Sequence, residues 1–165
     1  MFYDLENRKY HHVPIKFYKD SEGKWWAIFN QNKNGGYALV RHRAIFKDMK
    51  NHWTEDDINL LASKLIVKGM PDGRFMPDEN ITRAQYIALL IRGLGLSYSN
   101  NSNESFKDIN EDDWYAGAVE IVIDLGIVKG YEDGTFQPNK LISREEMSVI
   151  IVRVLNCFQM IKLGV

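Results

Sequence analysis

Apolar residues recur along this chain at two different periods, and the change of period divides it. Up to residue 45 they come in short runs rich in aromatic and β-branched side chains: Val13–Tyr18, Trp25–Asn30 and Tyr37–Arg41. Asp-Ser-Glu-Gly and Asn-Lys-Asn-Gly-Gly separate these runs. Such runs, punctuated by turn formers, predict short antiparallel strands in a small β-meander. Three strands are marginal alone, so residues 1–45 are expected to end a larger β domain lying upstream. Beyond them the period becomes helical. Ile58, Leu61, Ala62 and Leu65 stand at i, i+3, i+4 and i+7, and Ala118, Ile121, Val122 and Leu125 repeat that spacing. Each set predicts an amphipathic helix with one buried face, ending at a glycine.

The recurrence is a true internal repeat. FKDMKNHW, LIVKGMPDGRFMP and ITRAQ are followed in the same order by FKDINEDDW, GIVKGYEDGTFQP and ISREE. Phe46 and Phe106 are 60 residues apart; Trp53/Trp114, Gly69/Gly130, Phe75/Phe136, Arg83/Arg144 and Arg92/Arg153 are 61 apart, so one residue is inserted between the Phe and the Trp. Each copy reads as helix, loop, helix. The loop holds an Asp-Gly turn, an aromatic that plugs the core beneath it, and a proline that delays the next helix. Thr82-Arg-Ala-Gln85 and Ser143-Arg-Glu-Glu146 then fit the capping box, which fixes where the second helices begin. Tyr86–Ile91 and Met147–Val152 are apolar on nearly every face and predict helices surrounded by protein. The polar stretch Ser97–Ser105 reads as a surface linker. The expected fold is therefore mainly α: repeats at 46–96 and 106–156 packing their central helices together, the β segment before them, and a tail at 157–165.

Composition narrows the function by exclusion. In 165 residues, 21 Lys+Arg face 22 Asp+Glu, and no segment concentrates basic residues as nucleic-acid binding requires. Cys157 is the single cysteine, so no intramolecular disulfide or multi-cysteine metal site can form. His11, His12, His42 and His52 lack zinc-protease spacing, and no serine lies in a nucleophile elbow. The Asp-Gly turns lack the oxygen-ligand spacing of a calcium loop. The chain reads as a non-enzyme without cofactor or metal. No run reaches the roughly 18 apolar residues of a membrane span, and MFYDLENRKY has no signal-peptide core. An extracellular role would place the signal peptide on a missing upstream part.

The ordered combination of F-x-D, W, GIVKGYEDGTFQP and ITRAQ resembles the S-layer homology family, over residues 46 to about 156. That resemblance implies a pseudo-threefold bundle of three repeats, with grooves that hold secondary cell-wall polysaccharide, commonly carrying pyruvate ketals. It also implies an extracellular, cell-wall location. A third repeat is missing here, which leaves one groove complete. The alternatives are a protein–protein assembly module of a surface layer, or the non-catalytic end of a larger secreted hydrolase.

Candidate binding residues follow. Arg83 and Arg144 open helices, where a cation opposes the helix dipole at about 0.3–1 kcal/mol; an anion docked there would use both the free N–H groups and the guanidinium, while the bland reading pairs each arginine with Glu79 or Glu145. Trp53 and Trp114 either stack on a sugar face or pack as core. Asp48 and Asp108 serve a cap or turn, or accept a sugar hydroxyl. Gln85 and Glu146 cap, and the resemblance adds ligand contact, as it does for Gly69 and Gly130. Lys68 and Lys129 are either solvated or near the anion. With two repeats, one face of each central helix is uncovered; a homo-oligomer, the tail folding back, or the β segment is expected to cover it.

Overall fold

The computed structural model describes residues 1–4, 8–29, 35–96 and 106–163. Five short strands come first: β1 (Phe2–Asp4), β2 (Lys9–His11), β3 (Ile15–Lys19), β4 (Trp25–Phe29) and β5 (Gly36–Tyr37). Four helices follow: α1 (Glu55–Ser63), α2 (Arg83–Leu94), α3 (Ala116–Asp124) and α4 (Arg144–Leu163). The chain forms two compact units, one of Met1–Pro77 with Arg92–Gly95 and the other of Asp78–Ile91 with Leu96–Val165. The architecture is mixed: helices from α1 onward, and small antiparallel sheets before them. The linker expected at Ser97–Ser105 lies outside the described residues.

The β segment is not a meander. β1 lies between β2 and β5, while β3 and β4 form a separate hairpin. Phe2 pairs with both His11 and Tyr37, and its ring is buried 5.4 Å from that of Tyr37. Pairing of β1 with β5 across 35 residues leaves no local signature, and β1 and β2, three residues each, are too short to show a period; the strand expected to Arg41 is only β5. The hairpin turn, by contrast, is local chemistry. Asp20 accepts from the amides of Glu22 and Lys24 and, at 2.6 Å, from Trp26 Nε1, and Gly23 takes a positive φ of 84°.

In each repeat the tripeptide Phe-Lys-Asp straps the Asp-Gly loop. In the first, the Phe46 ring lies against Gly69 so closely that a Cβ there would clash with its Cε1 and Cδ1. Lys47 donates to the carbonyl of Asp72, and the Asp48 carboxylate accepts the amides of Phe75 and Met76 at 2.7–3.1 Å. In the second, Phe106 covers Gly130, Lys107 donates to Asp133, and Asp108 accepts from Phe136 and Gln137. Met76 and Gln137 both adopt positive φ (63° and 57°), the turn that brings two successive amides onto one carboxylate. Asp48 and Asp108 thus hold loops and do not cap the first helices. Burial would raise the carboxyl pKa of Asp48, but the two amides outweigh it and lower the pKa below the usual value. Phe136 is wholly buried beneath its loop, as expected, whereas Phe75 is only half-buried.

The first helices do not both end at a glycine. Gly126 follows α3 with φ 65°, but its counterpart after α1 is Leu65 with φ 61°. In both, the amide of the next residue returns to a carbonyl five positions back, Leu61 for Ile66 and Val122 for Ile127, a Schellman-type closure. Leu65 is therefore a helix stop and not the last member of the buried stripe. The capping boxes form as expected: Thr82 and Gln85 exchange bonds of 2.8 and 3.2 Å, and Ser143 and Glu146 exchange bonds of 2.9 and 3.1 Å. No residue of α2 is exposed. α4 buries Ile150 and Val154 but exposes Val149, Ile151, Val152 and Leu155. Cys157–Leu163 continue α4 as helix and do not fold back. Among the described residues no helix is long and apolar enough to cross a membrane.

Two glycine substitutions separate strain from clash. A Cβ on Gly126 would meet nothing within 4 Å, so Gly126→Ala is expected to lose only about 1 kcal/mol, from the left-handed backbone. Gly130→Ala would drive Phe106 from its seat and lose about 3 kcal/mol or more. Urea unfolding of the two variants measures the difference.

Candidate functional site

The second unit carries an open groove of about 480 Å3 beside the starts of α2 and α4. Its sequence origin is the meeting of the first repeat's TRAQ with the second repeat's loop. The amides of Arg83 and Ala84, which a helix start leaves without intrahelical acceptors, donate to the carbonyls of Lys140 (2.8 Å) and Pro138 (3.0 Å). Thr82 forms a β-bridge with Leu141. The helix start is thus stitched to the loop by its backbone.

Arg83 completes the joint. It is only 6% exposed. Its Nη2 donates to the Lys129 carbonyl at 3.1 Å and its Nη1 reaches Glu146 Oε1 at 3.4 Å. Its guanidinium lies 4.8 Å from the centre of the Phe136 ring and 5.3 Å from that of Tyr131, where a cation gains from the ring quadrupole. The expectation of an exposed arginine with free helix amides therefore fails at Arg83. Both amides are already used, and the acid it meets is Glu146, not Glu79 or Glu145. Its third nitrogen, the buried Nε–H, has no acceptor among the described residues.

Glu146 ties the groove to the capping box. Besides Ser143, it accepts from the Tyr131 hydroxyl at 2.8 Å and from Lys140 Nζ at 3.4 Å. Burial works to raise its pKa. The Ser143 amide, the Tyr131 hydroxyl and the Lys140 ammonium outweigh that and hold it at about 2. Four cations line the groove (Arg83, Lys129, Lys140 and Arg153) against two acids, Glu145 and Glu146, with Val128, Leu141, Val149 and Ile150 supplying apolar wall. Arg153 is held by a bond from Nη1 to the Ile127 carbonyl. A groove lined with more cations than acids can take an anion or a ring of hydroxyls.

Of the residues singled out from sequence, Arg83, Glu146 and Lys129 come together here. Arg144 is exposed at the start of α4, outside the groove lining. Gln85 serves its capping box. Gly69 and Gly130 are seats for Phe46 and Phe106. Trp53 and Trp114 are 87% and 65% exposed, which rules out the core reading, and neither lines the groove. Lys140 and Tyr131 were missed. Lys140 has no counterpart, since Glu79 stands in its place, but the repetition of Arg92 at Arg153 was a usable signal. Among the described residues no group of three or more His, Cys, Asp or Glu side chains could hold a metal.

The arginines should behave oppositely. Arg83→Ala leaves Glu146 short of a partner and uncovers Phe136, so a loss of about 2–4 kcal/mol is expected; Arg144→Ala should stay within about 0.5 kcal/mol. Thermal unfolding compares them. Glu146 is ordinarily half-protonated near 4.5 and here near 2. A depressed carboxyl contributes stability above its unfolded pKa and loses it as pH falls between those values. Glu146→Gln should flatten the melting-temperature profile in that window, and an unchanged acid slope would contradict the assignment.

Comparison with known proteins agrees with the repeat pattern. The family model described as the S-layer homology domain matches residues 45–87 and 105–148. An amylopullulanase of Thermoanaerobacterium thermosulfurigenes is 37% identical over 154 residues, covering 86% of this chain and 8% of its own length. That share of the chain exceeds what residues 46–165 could supply, so the likeness reaches into the β segment. An endo-1,4-beta-xylanase A of Thermoanaerobacterium saccharolyticum is 43% identical over 112 residues, 67% of this chain and 9% of its own. A cellulosome-anchoring protein of Acetivibrio thermocellus is 37% identical over 101 residues, 59% of this chain and 23% of its own. The chain therefore spans less than a quarter of each of these relatives. With both repeats matched in order, over more than half its residues, the chain belongs to the S-layer homology family.

Proposed function

We propose that this segment holds the protein that carries it on the bacterial cell wall, by binding an anionic wall polysaccharide in the groove beside Arg83, without catalysis of its own. The observation that carries the reading is the excess of cations in the groove lining, four against two acids, with Lys129 and Lys140 exposed. A carboxylate such as that of a pyruvate ketal would accept from the exposed ammonium groups of Lys129 and Lys140. The exposed indoles of Trp53 and Trp114 add apolar faces on which a sugar ring could lie. Membership of the family, and a relative named for anchoring cellulosomes, support attachment as the role. Relatives named as an amylopullulanase and a xylanase support the further reading that such a segment is the non-catalytic end of a larger secreted hydrolase.

Lys129 and Lys140 offer the cleanest test, because both are exposed and Arg83 is needed for the fold. Lys129→Ala/Lys140→Ala should weaken binding to purified wall polysaccharide by about tenfold or more, in a protein that circular dichroism shows to be folded. Removing pyruvate from the polymer should produce a similar loss. Equal affinity of the double variant, or of pyruvate-free polymer, would contradict the anion site.

A further inference from the structure

The two repeats differ at the C-terminal ends of their helices, where the last carbonyls have no intrahelical donors. In the first repeat α1 closes at Lys64. α2 closes at Gly95, which takes a φ of 67° while the amides of Gly95 and Leu96 return to the carbonyls of Arg92 and Ile91. The second repeat differs at both places. Gly126, just after α3, has open space where a Cβ would stand. Asn156, the counterpart of Gly95, lies inside α4, which runs for 20 residues against 12 in α2.

Both helix ends of the first repeat meet one short piece of the β segment, His12–Pro14, which lies between β2 and β3. The His12 ring donates to the carbonyl of Lys64, as histidines near helix C-termini can. Pro14 lies on the end of α2. A Cβ on Gly95 would collide with Pro14 Cδ and Cγ and would stand 3.4 Å from the His12 carbonyl oxygen. Val13, between these two contacts, is 4% exposed. All three residues belong to the same compact unit as α1 and the end of α2. The covalent link between the β segment and Phe46 is of another kind: residues 38–45 have no regular structure, and Leu39 and Ile45 are exposed.

We propose that residues 12–14 are a strap that docks the β segment on the ends of α1 and α2, making it a built-in part of the first repeat and not a tether ahead of it. A load entering through the β segment then passes into two helix ends as well as through residues 38–45. Gly95 is required twice, for its left-handed backbone and for the room that Pro14 occupies. None of the groove-lining residues takes part in the contact, so it stands or falls apart from wall binding.

Gly95→Ala and Gly126→Ala are a matched pair in the full chain. Both put a methyl group on a left-handed backbone, at φ 67° and 65°, and only the first drives it into another part of the chain. In urea, Gly95→Ala should raise the unfolding equilibrium constant about fivefold or more above Gly126→Ala. Pro14→Ala takes away the ring atoms that the methyl group strikes, so Pro14→Ala/Gly95→Ala should lose less than the two single variants together. Hydrogen exchange locates the loss. A sheet of three short strands is marginal alone, so Gly95→Ala should speed exchange in β1 and β2, whereas Gly126→Ala should leave both at the wild-type rate. His12 gives a local reading: burial, then the Lys64 and Met1 ammonium charges, hold its pKa below the ordinary imidazole value, and release of the strap should bring it back up. Equal losses from the two glycine variants would overturn the proposal. So would additive losses in the double variant, or β1 and β2 exchange and His12 titration unmoved by Gly95→Ala. If Gly95→Ala does not fold alone, the double variant decides: recovery of the fold supports the strap, and failure to recover overturns it.

Discussion

A single carboxylate accepting two successive backbone amides underlies the helical part of this molecule. Asp48 and Asp108 each fold the segment after an Asp-Gly turn back onto the start of its repeat, at bond lengths of 2.7–3.1 Å. That grip holds Met76 and Gln137 in left-handed conformations that non-glycine residues ordinarily avoid at about 1–2 kcal/mol. With the loop so held, its aromatic faces inward and its carbonyls are presented at fixed positions. The carbonyls of Pro138 and Lys140 can then receive a helix start, and Phe136 can receive a guanidinium. Groove, capping box and arginine all depend on a loop whose shape is set elsewhere.

The joint at Arg83 joins structure to function. An arginine used only for stability would be expected to have all of its donors filled, and one used only for binding would be expected to stand free in water. Arg83 does neither: two of its nitrogens hold the second repeat and the third is buried without an acceptor among the described residues. Glu146 has a similar double use, closing the box of α4 while fixing Tyr131 and Lys140 along the groove. Sharing one set of residues between the joint and the groove fixes the groove lining through the fold, a preorganisation that would lower the ordering cost of the proposed binding. It also explains why the most attractive binding residue in the sequence is a poor choice for mutagenesis.

What the sequence disclosed was what short-range chemistry decides. The capping boxes at Thr82 and Ser143 formed as read because both partners lie within four residues, and the repeat register placed the loops correctly. Three things were hidden. The burial of Arg83 depends on Lys129, Tyr131 and Phe136, some fifty residues away, so nothing around Thr82–Gln85 announces it. The pairing of β1 with β5 depends on Phe2 meeting Tyr37. Leu65 looked like a core residue because leucine continues an apolar stripe, and only the alignment with Gly126 marks it as the helix stop. Gly69 and Gly130, which the resemblance marks for ligand contact, each give a phenylalanine ring a flat seat, a role their spacing alone does not announce.

The spacing mismatch between the copies, 60 residues from phenylalanine to phenylalanine but 61 from tryptophan to tryptophan, has a practical reading. The extra residue falls between the strap and the first helix, where both ends are independently secured: upstream by the aspartate on its loop, downstream by the burial of Ala62 in α1 and of Val119 and Val122 in α3. A stretch fixed at each border by other contacts can change length without transmitting the change. That makes the segment following Met49, and its counterpart following Ile109, the natural ports for grafting a reporter peptide or an affinity handle into either repeat, leaving the groove undisturbed.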